Sequence, residues 1–191
     1  MDRKYKLLLV FILVALVQLY IPAKMILESE DVLDSGTAYK FKTAPVDPTD
    51  PFRGKYITLR YKDNHIEVEN KSDWFNGEEI YVILNKDKDG FAKIKFISKE
   101  APQYKADYFK AKIRYVSSNG SNQVRIAYPF NRYYMEESKA EAAEKAYRKS
   151  QADTSKVAYS LVRIKDGEAV LQDVLIDGVS IKDIVEKERR E

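Results

Sequence analysis

The amino-acid sequence predicts a mainly β (α+β) protein, with an N-terminal transmembrane helix followed by one antiparallel β-rich domain. That domain is expected to be a curved sheet or open barrel with one or two short helices. Three observations predict this class: one apolar run at the N-terminus, recurrent short runs rich in Ile, Val, Tyr and Phe between turn residues, and a single clear internal helix signature. With 191 residues and no Cys, the chain is expected to form one ordinary domain plus an appendage, without disulfides or thiolate metal sites.

The N-terminal run, residues 7–23, contains no charged residue. Crossing the hydrocarbon core of a bilayer takes about 17–25 mostly apolar residues, so this run predicts a membrane anchor over residues 1–27. A cleaved signal peptide is the alternative, but the segment after the apolar core offers no small-residue cleavage site. Basic residues at positions 3, 4 and 6 precede the run, and cationic flanks stay in the cytoplasm. We therefore expect an uncleaved single-pass anchor with its N-terminus inside and the domain outside.

Residues 28–36, ESEDVLDSG, predict a short polar linker, and the β-rich domain is expected to fill residues 37–191. Alternating or β-branched runs predict strands at 37–43, 56–61, 79–84, 91–96, 110–116, 124–128, 158–164 and 169–175. Hairpin turns are expected at 117–122 and at Asp166-Gly167. A helix is predicted over 139–150, started by the capping box Ser138-x-x-Glu141, and a second short helix lies near Ile181–Glu188.

The stretch 45–61, PVDPTDPFRGKYITLRY, is the most unusual part of the sequence. Asp47 and Asp50 each precede a proline, which disfavours helical backbone, and their carboxylates can accept bonds from N–H groups two residues on. Arg53 carries five donors and could brace one or both carboxylates. In the strand that follows, alternate residues from 57 to 61 share one face.

This stretch resembles the GDYXXLXY family, bacterial membrane-anchored proteins without an established activity. The positions of the family motif are filled by Gly54, Tyr56, Leu59 and Tyr61. Lys55 stands where the family name has Asp, so a role that depended on that acid would not carry over. Residues 131–137, NRYYMEE, are similar to a second family signature, and the turn at 176–178 also fits. The resemblance covers about residues 1–180. It implies a domain on the outer side of a bacterial cytoplasmic membrane, often encoded beside polytopic membrane proteins, and no particular reaction.

Candidate binding residues come from the loop, the motif strand and the second signature: Asp47, Asp50, Arg53, Tyr56, Tyr61, Arg132, Tyr133 and Glu136. The alternative reading is structural: a loop satisfied by its own bonds, and a strand end followed by carboxylates that suit a helix start. No catalytic residue, metal site or cofactor is predicted. His65 is the only His and is expected to be exposed. Residues 85–90 mimic the opening of a calcium loop, but Phe96 occupies the twelfth position, where a bidentate Glu is needed, so a hairpin turn is expected.

The first functional hypothesis is a non-catalytic extracytoplasmic binding or accessory module that docks on a polytopic membrane protein. A nine-residue linker would limit its reach to about 30 Å. The alternatives are an envelope hydrolase that uses Asp and Glu carboxylates as acid and base, or a sensor of a divalent cation or small ligand. Beyond the anchor the charges are nearly balanced and interspersed, which argues against nucleic-acid binding.

Overall fold

The structure is a computed structural model that describes residues 3–44, 56–118, 120–153, 155–188 and 190. The candidate residues Asp47, Asp50 and Arg53 lie outside the described residues, together with Gly54 and Lys55 of the motif.

Helix α1 extends from Arg3 to Ser35 and contains Pro22. Its apolar window is not buried within the protein, and the helix is long and apolar enough to cross a membrane. The predicted apolar segment is therefore helical, and its apolar side chains are exposed, so that lipid or another protein can cover them.

The predicted linker differs from expectation in its conformation, because residues 28–35 continue α1 instead of forming a separate spacer. No Gly or Pro interrupts them, and the hydroxyls of Ser29 and Ser35 donate to carbonyls one turn earlier, at 2.9 and 2.7 Å. At about 1.5 Å per residue these eight residues extend about 12 Å, well below the reach of an extended linker. Gly36 alone separates the helix from the first strand.

Twelve strands and two further α-helices follow among the described residues. The strands are β1 Thr37–Ala44, β2 Tyr56–Thr58, β3 Arg60–Tyr61, β4 His65–Glu67, β5 Glu79–Lys86, β6 Ala92–Ser98, β7 Tyr108–Val116, β8 Gln123–Ala127, β9 Arg132–Tyr134, β10 Ala158–Lys165, β11 Glu168–Ile176 and β12 Val179–Ser180. The helices are α2 Glu137–Ala152 and α3 Ile181–Glu188, and a 3₁₀ turn covers Lys71–Asp73.

The strands form two five-stranded sheets and a two-stranded ribbon. The first sheet has the order β12-β11-β10-β1-β3, the second has the order β4-β8-β7-β5-β6, and the ribbon pairs β2 with β9. All of these named pairs are antiparallel. The sheets curve around one shared core in a nearly closed, barrel-like arrangement. This confirms the predicted class of an antiparallel β-rich domain with short helices.

The centre of the core is aromatic. Five rings lie with neighbouring centroids 4.6–6.1 Å apart, mostly tilted or edge to face: Phe41, Tyr61, Phe109, Tyr128 and Phe130. Such arrangements place the positive ring edge near a negative ring face, which contributes about 0.5–1.5 kcal/mol per pair beyond burial. The rings come from β1, β3, β7 and the segment after β8, so this cluster joins the two sheets.

Most predicted strands and both hairpins are confirmed, with ends shifted by a few residues. Asp166 and Gly167 have φ of 49° and 87°, the positive values that a two-residue turn of this hand requires. In the segment that mimics a calcium loop, the Asp87 carboxylate instead accepts bonds from the N–H groups of Asp89 and Phe91, at 3.0 and 2.8 Å. Residues 85–90 therefore serve the β5–β6 hairpin.

Two local predictions are wrong. The capping box at Ser138 does not form, because α2 begins at Glu137 and the Glu136 side chain makes no capping bond. The Glu136 carbonyl instead accepts the N–H groups of Lys139 and Ala140, at 2.9 and 3.0 Å. The single strand predicted at 56–61 is two strands, because residues 56–58 pair with β9 whereas Arg60 and Tyr61 pair with β1.

Candidate functional site

The two sequence signatures meet in the β2–β9 ribbon. Tyr56 lies opposite Tyr134, Ile57 opposite Tyr133, and Thr58 opposite Arg132. Side chains alternate between the faces of a strand, so Ile57 and Tyr133 face the core together and the other four face outwards. The described end of the first motif and the second signature thus share one surface.

The outer face of this ribbon carries an aromatic and cationic surface, which we call the Tyr–Arg patch, formed by Tyr56, Tyr134 and Arg132. The two rings lie 5.4 Å apart, and the Arg132 guanidinium carbon lies 5.0 Å from the centroid of the Tyr56 ring. A hydrogen bond to Tyr134 and the nearby phenols raise the pKa of Arg132, which stays cationic. Tyr134 is 63% exposed. Tyr and Arg are enriched in protein contact surfaces, so this patch has the chemistry of a docking surface.

Tyr61 lies elsewhere, inside the core. Its hydroxyl donates to the Phe130 carbonyl at 2.7 Å and accepts from the Ser160 hydroxyl at 3.2 Å. Burial raises the pKa of Tyr61 far above its usual range. With 4% of its surface exposed, the side chain is out of reach of a surface ligand, and its contacts are those of a residue that joins β3 to β10.

Tyr133 also points inwards. Its hydroxyl donates to Asp173 Oδ1 at 2.8 Å, and the same carboxylate oxygen accepts the Val174 N–H at 2.8 Å. Burial, followed by the bond to Asp173, raises the pKa of Tyr133. This contact ties β9 to β11 and thereby holds the ribbon against the first sheet.

Glu136 is exposed and belongs to a surface ion cluster between α2 and α3. Its carboxylate lies 3.6 Å from the Lys139 ammonium, which also contacts Glu186 on α3 at 3.0 Å. Both carboxylates raise the pKa of Lys139. Of the predicted candidates in the described residues, Tyr56 and Arg132 therefore share a patch, whereas Tyr61, Tyr133 and Glu136 occupy three different environments.

Tyr133, predicted as a binding residue, is instead a core residue, and its neighbour Tyr134 is the one that faces outwards and belongs to the patch. The sequence analysis missed a cavity of about 380 Å³; among the residues that line it are Lys42, Lys62, Lys156, Thr43 and Gln151. The Gln151 amide donates to the Thr43 hydroxyl at 2.7 Å, and that hydroxyl donates to a strand carbonyl at 2.9 Å. These residues lie far apart in the sequence, so no local pattern predicts the cavity.

The buried phenol of Tyr147 lies beside Thr43 and Gln151. Burial raises the pKa of Tyr147 to about 12, and the Thr43 and Gln151 side chains limit this rise. The phenol makes no hydrogen bond of good geometry with any described residue. The phenol therefore stays neutral and acts as a packed core group.

Hydrogen bonds lower the pKa of four described carboxylates, those of Asp31, Glu78, Asp87 and Asp153. Within the described ranges, no group of three or more His, Asp or Glu side chains is placed to hold a metal ion.

The family model described as GDYXXLXY protein matches residues 18–174, from the second half of α1 to β11. No curated protein and no solved structure matches the chain.

Proposed function

Because the chain belongs to the GDYXXLXY protein family, we propose that it is a membrane-anchored binding or accessory module that docks on a polytopic membrane protein. In this proposal α1 crosses the cytoplasmic membrane of a bacterium with its basic N-terminus inside. The β-rich domain then lies on the extracytoplasmic side, close to the lipid surface.

The observation that carries the proposal is the junction between α1 and the domain. Val32, near the end of α1, is buried, with only 4% of its surface exposed. The Gly36 N–H donates to the Val32 carbonyl at 2.9 Å, and Arg163 donates to the Gly36 carbonyl at 3.1 Å. The Asp31 carboxylate contacts the Lys165 ammonium at 2.7 Å. These contacts fix the end of α1 to β10. The domain therefore has a defined orientation relative to α1 and a defined position along the helix axis.

A fixed orientation of the domain relative to α1 suits a partner in the same membrane. The helical stretch 28–35 raises the domain by only about 12 Å, so a protein far from the lipid surface lies beyond reach. The apolar residues of α1 are exposed on all sides, and transmembrane helices of a partner can cover them as lipid does. One binding event can then use both the helix and the domain.

A co-purification experiment tests the proposal. An affinity-tagged chain, extracted from its own membranes in mild detergent, is expected to recover one dominant multi-span protein in comparable amount. Recovery of the chain alone would contradict the proposal. A reporter fused to the C-terminus should be active outside the cytoplasm, and a mature protein that begins after Ala23 would exclude the anchor.

Insertions into α1 test whether the orientation of the domain relative to the helix matters for partner binding. An α-helix turns by about 100° and rises by about 1.5 Å per residue. Two alanines between Leu27 and Glu28 turn the domain by about 200° and raise it by about 3 Å, whereas four give a net turn of about 40° and a rise of about 6 Å. We expect the four-alanine variant to recover more partner than the two-alanine variant. The opposite order, or equal recovery, would contradict the proposal that partner binding requires a fixed orientation of the domain relative to α1.

The sensor alternative has a direct test of its own. Isothermal titration of the full chain with calcium and with magnesium should give no saturable heat if the module binds a protein and no cation.

A further inference from the structure

The second sheet leaves two strand edges facing one cavity. Its outer strands are β4 and β6, and both line the same groove of about 420 Å³. The groove contacts consecutive residues of each wall, 66–69 on one side and 95–97 on the other. Consecutive strand residues point to opposite faces, so a groove that touches all of them runs along the strand edges. We call it the β4–β6 slot.

Contacts between the two walls close the slot at both ends. Between these ends, the edges of β4 and β6 are not paired with each other. At one end Phe91 bridges to β1, and the Lys93 ammonium lies 3.1 Å from the Asp63 carboxylate just before β4. At the other end Lys99 bonds the Asp73 carbonyl and lies 2.7 Å from Glu78. Among the described residues, no backbone hydrogen bond joins β4 to β6. The outer edges of β4 and β6 therefore have no partner strand in the described part of the chain.

The walls of the slot combine apolar and acidic groups. Trp74 and Phe96 contribute rings, and Phe96 is 39% exposed although it is large and apolar. Glu67, Glu69 and Asp73 line the β4 side, and none of them forms an ion pair with another described residue. The opposite wall has two lysines, Lys95 and Lys99, against these three carboxylates, and Lys99 is already paired with Glu78. The slot therefore has an excess of negative charge.

We propose that the β4–β6 slot binds an extended peptide segment with alternating apolar residues and at least one Lys or Arg. The segment adds as a strand to the free edges, which is a recurrent mode of peptide recognition. Its backbone satisfies the edge groups, its apolar side chains contact Trp74 and Phe96, and its cation faces Glu67 and Glu69. The inference rests on the proposed function for the source of the peptide, which would be an extracytoplasmic segment of the docked membrane protein.

The slot contains its own reporter, because Trp74 is the only Trp of the chain. The experiment uses the full chain in nanodiscs of zwitterionic lipid, which do not attract cationic peptides. The probe is a four-residue peptide of alternating Val and Lys, which matches the length of the β4 wall, and its binding is followed through Trp74 fluorescence. Two matched peptides serve as comparisons: one with Glu in place of Lys, and one with the Val–Lys sequence but N-methyl groups on alternate backbone nitrogens.

We expect saturable binding of the Val–Lys peptide, at least about tenfold weaker binding of the Val–Glu peptide, which is about 1.4 kcal/mol, and no binding of the methylated peptide. Methylation removes backbone donors and leaves the side chains and charges in place, so equal binding of the methylated peptide would overturn strand addition. Equal binding of the Val–Glu peptide would overturn the charge argument.

Charge reversal in the slot is the second part of the experiment. The double variant Glu67→Lys/Glu69→Lys is expected to prefer the Val–Glu peptide. The control Glu141→Lys/Glu188→Lys makes the same change in net charge at exposed positions away from the slot and should behave as the wild type. Thermal unfolding checks that both variants fold. Unchanged peptide preference in a folded Glu67→Lys/Glu69→Lys variant would overturn the proposal.

The two proposals fail separately. Peptide binding without recovery of a membrane protein removes the proposed function and leaves the slot. Recovery of a membrane protein without peptide binding removes the slot and leaves the function. A dimer of this chain that the Val–Lys peptide dissociates would show that a second copy supplies the strand, and would overturn the assignment to a partner protein.

Discussion

Replacing Tyr61 by Phe removes one hydroxyl from the core and leaves the ring in place. That hydroxyl donates to the Phe130 carbonyl and accepts from the Ser160 hydroxyl, at 2.7 and 3.2 Å. Tyr61 is 4% exposed, so water has little access to the groups that lose their partner. The substitution therefore separates a structural role of Tyr61 from the binding role that its motif position suggests.

The expected cost follows from the two bonds. A typical hydrogen bond contributes about 0.5–1.5 kcal/mol net, and a buried group left without a partner costs about 1–3 kcal/mol. The Ser160 hydroxyl can rotate to another acceptor, but the Phe130 carbonyl is fixed by the backbone. We expect the free energy of unfolding to fall by about 2 kcal/mol. For a domain of this size each kcal/mol lowers Tm by about 2–4 °C, so Tm should fall by about 4–8 °C.

Thermal unfolding of the full chain in detergent, followed by near-ultraviolet circular dichroism, measures this shift. Tyr104→Phe is the matched control because Tyr104 is 55% exposed, and its Tm should change by less than about 1 °C. In a double-mutant cycle, Ser160→Ala should cost less in the Tyr61→Phe background, since the two residues share a bond. An unchanged Tm together with lost recovery of a membrane partner would refute the structural role and make the hydroxyl a binding group.

Three further predictions concern other contacts. Gly36→Ala places a Cβ against the helix carbonyl one turn earlier, so the junction should lose about 1–3 kcal/mol. Hydrogen exchange should then speed up at residues 28–36, and unchanged exchange would contradict the close packing. Burial and the Arg125 charge lower the pKa of His65, so the unfolded state binds the proton more readily. Stability should therefore fall as the pH drops below about 6.5, and urea unfolding of His65→Gln should show a flatter profile in that window. Tyr133→Phe removes the bond to Asp173 and should lower the urea-derived stability by about 1–2 kcal/mol, whereas no loss would show that the ribbon is held by packing alone.

The sequence predicted strands well where one face is buried, because burial imposes a period of two. In β7, Phe109, Ala111 and Ile113 are buried and the lysines between them are exposed, as the alternating pattern indicates. The strands β4 and β9 have only three residues each. They exist because a strand far away in the sequence pairs with them, β8 and β2 respectively, which no local pattern can reveal.

The candidate site was partly predictable for the same reason. The motif and the second signature were both identified, and the structure pairs them in one ribbon. Their inward or outward direction depends on the register of β2 against β9, which tertiary packing decides. The stretch 56–61 shows the limit of local reasoning, because it looks like one strand in the sequence but changes its partner from β9 to β1 after Leu59. The β4–β6 slot depends on sheet curvature and has no local signature.

The junction between α1 and β1 contains a single residue, Gly36, and that residue is held by bonds on both sides. A rod fixed in this way transmits motion. Transmembrane helices in bilayers tilt by about 20° on average, and a change in tilt would swing the whole domain through the same angle. If α1 crosses the membrane as proposed, a neighbouring protein that alters its tilt would move every surface of the domain together, without any change in the fold of the domain.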